Sequence, residues 1–321
     1  MTPYTIGNFS HKGMVRKANE DYFESFDSPC GQVVVVCDGM GGHVGGAKAS
    51  RTAVAAIRKH LTETDYADPR QALYNALIQA NEAVITYGQT HPELKGLGST
   101  CVILLVRDNQ VYYAHVGDSR IYLFSHQTLT QITEDHSYVQ LLVNAGEITA
   151  EEAEHHPRKN EITNALGLEN MKPPTVATNP IAPQQGDCFL LCSDGLSGMV
   201  SDNEIQATLE NDRLSVQEKA EHLVDLANAA GGVDNITVQL VAFGASAKAS
   251  PSPRKTMVFT RRHLYILLAV LAALLLGALC YCYFATDLFP RPNARKEAPA
   301  PPLPPVDSTA IDSLVHTHFS N

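Results

Sequence analysis

The chain has 321 residues, a formal net charge of −10 and 18% charged side chains, the composition of an ordinary globular protein, and its length leaves one domain or two open. Residues 245–321 hold eight of the 24 Lys/Arg and four of the 34 Asp/Glu, which leaves 16 basic against 30 acidic side chains in residues 1–244, a formal −14. That balance argues against nucleic acid as a partner, because such affinity comes largely from basic side chains, and is compatible with bound divalent cations.

The seven cysteines are odd in number and none forms a Cys-x-x-Cys pair. Cys37, Cys101, Cys188 and Cys192 sit in apolar runs, which predicts buried, reduced thiols. The first ten residues lack the basic start and apolar core of a secretory signal.

Tyr4–Phe9 reads as a first strand, Ser10–Asp21 as a polar loop and Tyr22–Phe26 as a second strand, with a turn at Ser28-Pro29-Cys30-Gly31. Val33-Val34-Val35-Val36-Cys37 is continuously apolar and β-branched, the pattern of a strand buried on both faces. It stops at Asp38 and runs into glycines at Gly39, Gly41, Gly42 and Gly45. A carboxylate at a strand mouth, followed by bare backbone, suits a hard cation and a phosphate.

Beyond Gly46 the spacing of Val54, Ile57 and Leu61 predicts a helix, and a second follows Pro69 with Leu73, Ala76, Leu77, Ala80 and Val84 on one face. Thr100–Val106, Val111–Val116 and Ile121–Phe124 read as one antiparallel meander, interrupted at Gly117-Asp118-Ser119-Arg120. Residues 133–170 are polar, with a short helix around Val139–Ala145, and read as a flap over the site. Asp187–Ser193 is a further buried strand ending at Asp194-Gly195. Helices at Asp202–Glu210 and Val216–Ala229 follow, and Asp234-Asn235 opens a last strand, Ile236–Phe243.

Residues 1–244 thus form one globular domain, and 245–263 are a basic linker. Leu264–Phe284 is uncharged, apolar and long enough to span a bilayer, while 285–321, with its APAPPLPP run, has the composition of a disordered tail. The Lys/Arg bias on the N-terminal flank predicts a cytoplasmic domain and an outside tail.

Four carboxylates share one pattern, in which an apolar strand meets an Asp beside Gly or Asn: Asp38, Asp118, Asp194 and Asp234. Asn19-Glu20-Asp21, preceded by Arg16, is a fifth element. One strand-end Asp is an ordinary turn former. Several brought together would repel, and divalent cations with oxygen ligands would resolve the conflict. Arg16 offers a fork of donors suited to phosphate.

Arg16-x-x-Asn19-Glu20-Asp21, Asp38-Gly39-Met40-Gly41-Gly42-His43, Gly117-Asp118-Ser119-Arg120, Ser193-Asp194-Gly195 and Asp234-Asn235-Ile236-Thr237 stand in the order and rough spacing of the metal-dependent (PPM, or protein phosphatase type 2C) Ser/Thr phosphatases. The chain resembles their bacterial branch over about residues 4–243. The resemblance implies an α+β fold, a four-layer α-β-β-α sandwich of two antiparallel sheets with flanking helices. It also implies hydrolysis of phosphoserine and phosphothreonine in proteins by a metal-activated water at a binuclear Mn²⁺ or Mg²⁺ centre, with a third, weaker ion.

In that scheme Asp38 bridges two metals, the Gly39 carbonyl and Glu20 belong to the second, and Asp194 and Asp234 complete the first. Asp118 is a ligand of the third ion, Arg16 clamps the phosphate, and Asp21 orients waters from behind. Met40 stands where many eukaryotic members have a histidine proposed as general acid, so the resemblance hands leaving-group protonation to a metal-bound water and leaves His43 a structural role. Asn164 stands where bacterial relatives often carry arginine. The implied partners are phosphoprotein substrates, a Ser/Thr kinase among them, with a monomeric catalytic domain. The rival reading is a non-catalytic phosphoprotein receptor; the presence of every metal residue argues against it.

Overall fold

The computed structural model describes residues 2–41, 44–94 and 96–244. Gly42, His43, the linker, the apolar stretch 264–284 and the Pro-rich tail lie outside the described residues. Among the described residues no helix is long and apolar enough to cross a membrane.

The chain runs through β1 (Tyr4–His11), β2 (Tyr22–Ser28), β3 (Gly31–Cys37) and β4 (Gly39–Met40) into α1 (Gly45–Glu63) and α2 (Pro69–Thr90). Then come β5 (Gly98–Ser99), β6 (Cys101–Arg107), β7 (Gln110–Val116), β8 (Arg120–Ser125) and β9 (Thr128–Gln131). After α3 (Tyr138–Asn144), α4 (Ala150–Glu154), β10 (Thr175–Val176) and β11 (Cys188–Cys192), the order closes with α5 (Asp194–Ser197), α6 (Asp202–Glu210), α7 (Val216–Ala229) and β12 (Ile236–Phe243).

Two five-stranded antiparallel sheets carry the fold, in orders β1-β12-β11-β8-β9 and β10-β7-β6-β3-β2. Side-chain alternation divides the strands between layers. Val33 and Val35 join Ile57, Leu61, Leu73 and Leu77 under α1 and α2. Val34 and Val36 meet Phe189, Leu191 and Val241 between the sheets. Leu190 and Cys192 join Leu223, Val224 and Ile205 under α6 and α7. The valine run is therefore buried on both faces because a helix layer covers one and a second sheet the other, the expected α-β-β-α sandwich. Cys37, Cys101, Cys188 and Cys192 are buried and free.

Local signals set the ends. Asp68 caps α2 with Pro69 in its first turn, while Ser201–Glu204 and Ser215–Glu218 form capping boxes on α6 and α7.

The expected meander from Thr100 to Phe124 is not one sheet. β6 and β7 pair through a tight turn with positive φ at Asp108 and Asn109. The chain then leaves at Gly117 (φ 101°), and β8 pairs with β11 and β9 in the other sheet. Both sheets are apolar toward the middle, so alternation does not tell which one a strand joins. β9 and the two-residue pairings of β4, β5 and β10 are too short and polar to stand out in the sequence.

Candidate metal centre and active site

Face-to-face packing brings strand ends from both sheets to one edge. β3 delivers Asp38, the β7–β8 crossing delivers Asp118, β11 leads into Asp194 at the start of α5, and Asp234 precedes β12. Together with Arg16, Glu20 and Gly39 they line one cavity of about 320 Å³, whose other walls are Met40, Gly41, Thr100, Asn160, Ile162 and Asn235. Seven residues from five separate segments thus share one space.

Backbone pairing fixes them. The Asp38 N–H donates to Thr100 Oγ1 at 3.1 Å, and the Asp38 carbonyl accepts from Thr100 N–H at 2.8 Å and from Ser99 Oγ at 2.9 Å. Thr100 Oγ1 lies 2.7 Å from Ser119 Oγ, beside Asp118. Asn235 Oδ1 accepts from Glu20 N–H at 2.8 Å, and its Nδ2 donates to the carbonyls of Lys12 and Ala18 at 2.9 Å each. One asparagine therefore moors the whole loop that carries Arg16 and Glu20 to the start of β12. A Cβ on Gly46 would collide with Glu20 Oε2, so glycine at the head of α1 lets that carboxylate seat there.

The electrostatics are frustrated. Burial, together with Asp21, Asp194 and Asp118, pushes the Asp38 carboxyl well above the usual range. Burial likewise raises Asp194. Asp118 rises to about 7 through burial and the nearby Asp194 and Asp135. Asp21, beneath the cavity, also rises to about 7, chiefly by burial, although its Oδ2 accepts from Ser193 Oγ at 2.8 Å and Thr237 Oγ1 at 2.7 Å. Asp21 Oδ1 and Asp194 Oδ1 are buried without a hydrogen-bond partner.

Part of the repulsion is eased from within. Arg16 Nη2 donates to Asp234 Oδ2 at 2.7 Å. Among the described residues no three His, Cys, Asp or Glu already close on one point as a finished ion cage. The donor set nevertheless fits a hard divalent cation. Every candidate ligand is an oxygen, two carboxylate oxygens in or under the site are orphaned, and no thiol or imidazole among the described residues lines the cavity.

Each sequence-predicted residue reaches the cavity except Asp21, which lies behind it, and His43, which is outside the described residues. Arg16 arrives paired with Asp234, its side chain 47% exposed. Asn164 does not face the site: its amide exchanges hydrogen bonds with the backbone of Lys172 at 3.0 and 3.1 Å. Asn160 and Ile162, from the segment expected to cover the site, line it instead. Thr100 reads as an ordinary strand residue in the sequence, and only the fold brings its hydroxyl against Asp38. His155 is exposed, and His156 Nδ1 accepts from Arg158 N–H at 3.1 Å in a local turn.

The family profile described as "Protein phosphatase 2C" matches residues 12–233. The serine/threonine phosphatase stp of Listeria welshimeri is 40% identical over 235 residues, 72% of this chain and 92% of that one. The solved S. agalactiae serine/threonine phosphatase superposes with a TM-score of 0.71 at 33% identity, covering 75% of this chain and 100% of that one. The catalytic domain of the serine/threonine phosphatase PstP, solved in complex with two manganese ions, gives a TM-score of 0.65 at 36% identity, with 74% and 97% covered.

Proposed function

Because this chain belongs to the protein phosphatase 2C family and is a serine/threonine protein phosphatase, we propose that its cavity is a two-cation phosphoryl-hydrolysis centre in which Asp38 is shared by both ions. Asp194 and Asp234 complete one site, Glu20 and the Gly39 carbonyl serve the other, and Asp118 holds a third, weaker ion. The observation that carries this reading is the convergence of raised carboxyls with orphaned oxygens in a cavity lined by oxygen donors. Mn²⁺ or Mg²⁺ bound there supplies a water acidic enough to attack at neutral pH and positive charge for the phosphoryl oxygens.

The protein's own groups do the rest. Arg16, on the rim, clamps the substrate phosphate and divides its donors between phosphate and Asp234. Asp21, fixed through Oδ2 by Ser193 and Thr237 and with Oδ1 buried and unpartnered, orients water from behind the site. Thr100 holds the Asp38 backbone in place at the strand mouth. Met40 carries no proton to give, and no imidazole among the described residues lines the wall. Hydrolysis of a phosphothreonine peptide that stops in EDTA and returns with added Mn²⁺ supports the reading; turnover unaffected by EDTA overturns it.

The linker and the apolar stretch 264–284 support a membrane-tethered phosphatase acting on phosphoproteins at the bilayer, a receptor kinase among them. The stretch has no charge and no proline, and Arg261 and Arg262 stand against its N-terminal end. The catalytic domain then faces the cytoplasm, and tethering raises its effective concentration toward membrane-bound substrates. A cytoplasm-only reporter fused after Asn321 should be silent while one fused before Thr2 works. Signal from the C-terminal fusion overturns the topology.

A further inference from the structure

His136 lies outside the cavity and has no part in the chemistry above, yet it grips Gly117, the residue before Asp118, with two bonds. Its ring Nδ1 accepts from the Gly117 N–H at 3.1 Å. Its backbone N–H donates to the Gly117 carbonyl at 2.9 Å. Because Nδ1 accepts, the ring proton sits on Nε2, which donates to Thr175 Oγ1 on β10 at 3.0 Å. Burial and the neighbouring His115 push the imidazole down to about 4, so the ring is neutral and Nδ1 stays an acceptor.

The grip extends both ways. On one side, Gly117 has φ 101°, and a Cβ there would meet Thr100 Cγ2 at 2.6 Å, so the turn is wedged between His136 and the threonine that locks Asp38. On the other, the His136 carbonyl accepts from the Thr163 N–H at 2.7 Å, next to the cavity-lining Ile162. The ring stacks on His115, with centroids 4.6 Å apart. His115 is 2% exposed and donates from Nε2 to the Glu134 carbonyl at 2.8 Å. A histidine serving only to fill space would not need its Nδ1 directed at the backbone of a metal-loop glycine.

We propose that His136 is a positioning residue: its Nδ1–Gly117 bond sets where the Asp118 carboxylate enters the cavity and ties that placement to the Asn160–Ile162 wall. The inference rests on the reading of Asp118 as a site residue.

Two isosteres separate this role from packing. His136→Asn keeps an acceptor at the δ position, while His136→Gln moves it to the ε position; both lose the stack on His115. In the full-length enzyme, His136→Gln should lower kcat on a phosphothreonine peptide about tenfold, the size expected for losing one hydrogen bond of about 1.4 kcal/mol, and raise the Mn²⁺ concentration for half-maximal activity. His136→Asn should stay within about threefold of wild type, since its amide oxygen restores that bond. His136→Ala, which also lacks the acceptor, should match Gln and serves if Gln does not fold.

In a double-mutant cycle, His136→Gln or His136→Ala should cost less than about twofold on an Asp118→Asn background, because groups acting as a unit are not additive. Equal behaviour of Asn and Gln, or losses that multiply in the cycle, overturns the inference. An Asp118→Asn enzyme with full turnover overturns it together with the role given to Asp118. The wild-type response to Mn²⁺ in the same assay tests the phosphatase reading separately.

Discussion

Two concavities among the described residues invite comparison, and the larger of the pair is the less informative. A groove of about 620 Å³ lies between α1 and α2, lined by Lys59, His60, Glu63, Gln79, Glu82 and Tyr87 among others. Its charges are mixed in sign and its histidine is satisfied, with His60 Nε2 2.7 Å from the Tyr66 hydroxyl. The cavity at the strand ends holds about half that volume but gathers five carboxylates against one arginine. There burial pushes the Asp38, Asp118 and Asp194 carboxyls upward, and Asp194 Oδ1 is left unpartnered. Stored electrostatic conflict, rather than room, marks the place where a protein expects another charge.

The sharpest way to break that comparison is at Asp38. Asp38→Ala removes the group shared by both proposed cation sites, and activity should fall by about 10³-fold or more, beyond the loss from one electrostatic donor. The conflict reading adds a second outcome. With the metal stripped by EDTA, Asp38→Asn should melt at a higher temperature than wild type, because the amide removes the cost of burying an acid that is ionised in the unfolded chain among like groups. Near-normal turnover by Asp38→Ala removes the proposed centre; a lower melting point for metal-free Asp38→Asn removes the claim of stored repulsion.

Arg16 comes next in size. It is the cavity's single cationic side chain among the described residues, and its bond to Asp234 holds its guanidinium above the usual pKa. Arg16→Ala should raise KM for phosphopeptides about ten- to a hundredfold, the range for losing a hydrogen bond to a charged group, with a smaller change in kcat. Unchanged KM with lost Mn²⁺ would make Arg16 a partner of Asp234 alone.

Asp118 and Asp21 sharpen the comparison through pH. In the metal-free fold both rise to about 7, against an ordinary value of 3.8. A folded pKa above the unfolded one gives stability that is full below about pH 3.8 and is lost as pH rises through about 7. His136 runs the other way: its folded pKa of about 4 costs stability as pH falls below 6.5, and it contributes no slope above. Between pH 6.5 and 8 the carboxylates therefore set the trend. Metal-free protein should lose melting temperature across that window, and the gain from Mn²⁺ should grow, because the cation binds the ionised form. A Mn²⁺ gain that is constant from pH 6.5 to 8 contradicts this.

Much of this site was legible because its carboxylates end strands. Val33–Cys37 and Asp187–Ser193 announce themselves by continuous apolar residues, and the Asp that stops each run stands out against them. What convergence requires was not legible. The β7–β8 crossing at Gly117 changes sheets without changing the apolar pattern, so alternation alone makes Asp118 look like part of a meander. Thr100 and Asn235 act through backbone bonds 62 and 215 residues away, to Asp38 and Glu20, and nothing in their own neighbourhood signals those partners. Asn160 and Ile162 come from a polar segment with no period. The helices Asp202–Glu210 and Val216–Ala229 fell where expected because their capping serines and apolar stripes are local information.

The smallest expected effect lies in the larger groove. Glu82 projects into it from α2, and its exposed carboxylate accepts a hydrogen bond from Gln79 Nε2 at 2.9 Å, one turn away. Such an i,i+3 contact is worth a few tenths of a kcal/mol, about 0.2–0.5, so Glu82→Ala should shift the melting temperature by no more than about 2 °C. Phosphopeptide kcat/KM and the Mn²⁺ requirement should stay within about 1.5-fold of wild type, as for surface changes away from a site. The contrast with Asp38 is then one of kind. Removing a carboxylate from the groove takes away a solvated charge with a local partner, whereas removing one from the strand ends takes away a charge held beside others of its own sign for a cation to join. A tenfold loss of turnover in Glu82→Ala would mean that the groove is energetically connected to the reaction, and volume would again count as a guide to where this phosphatase works.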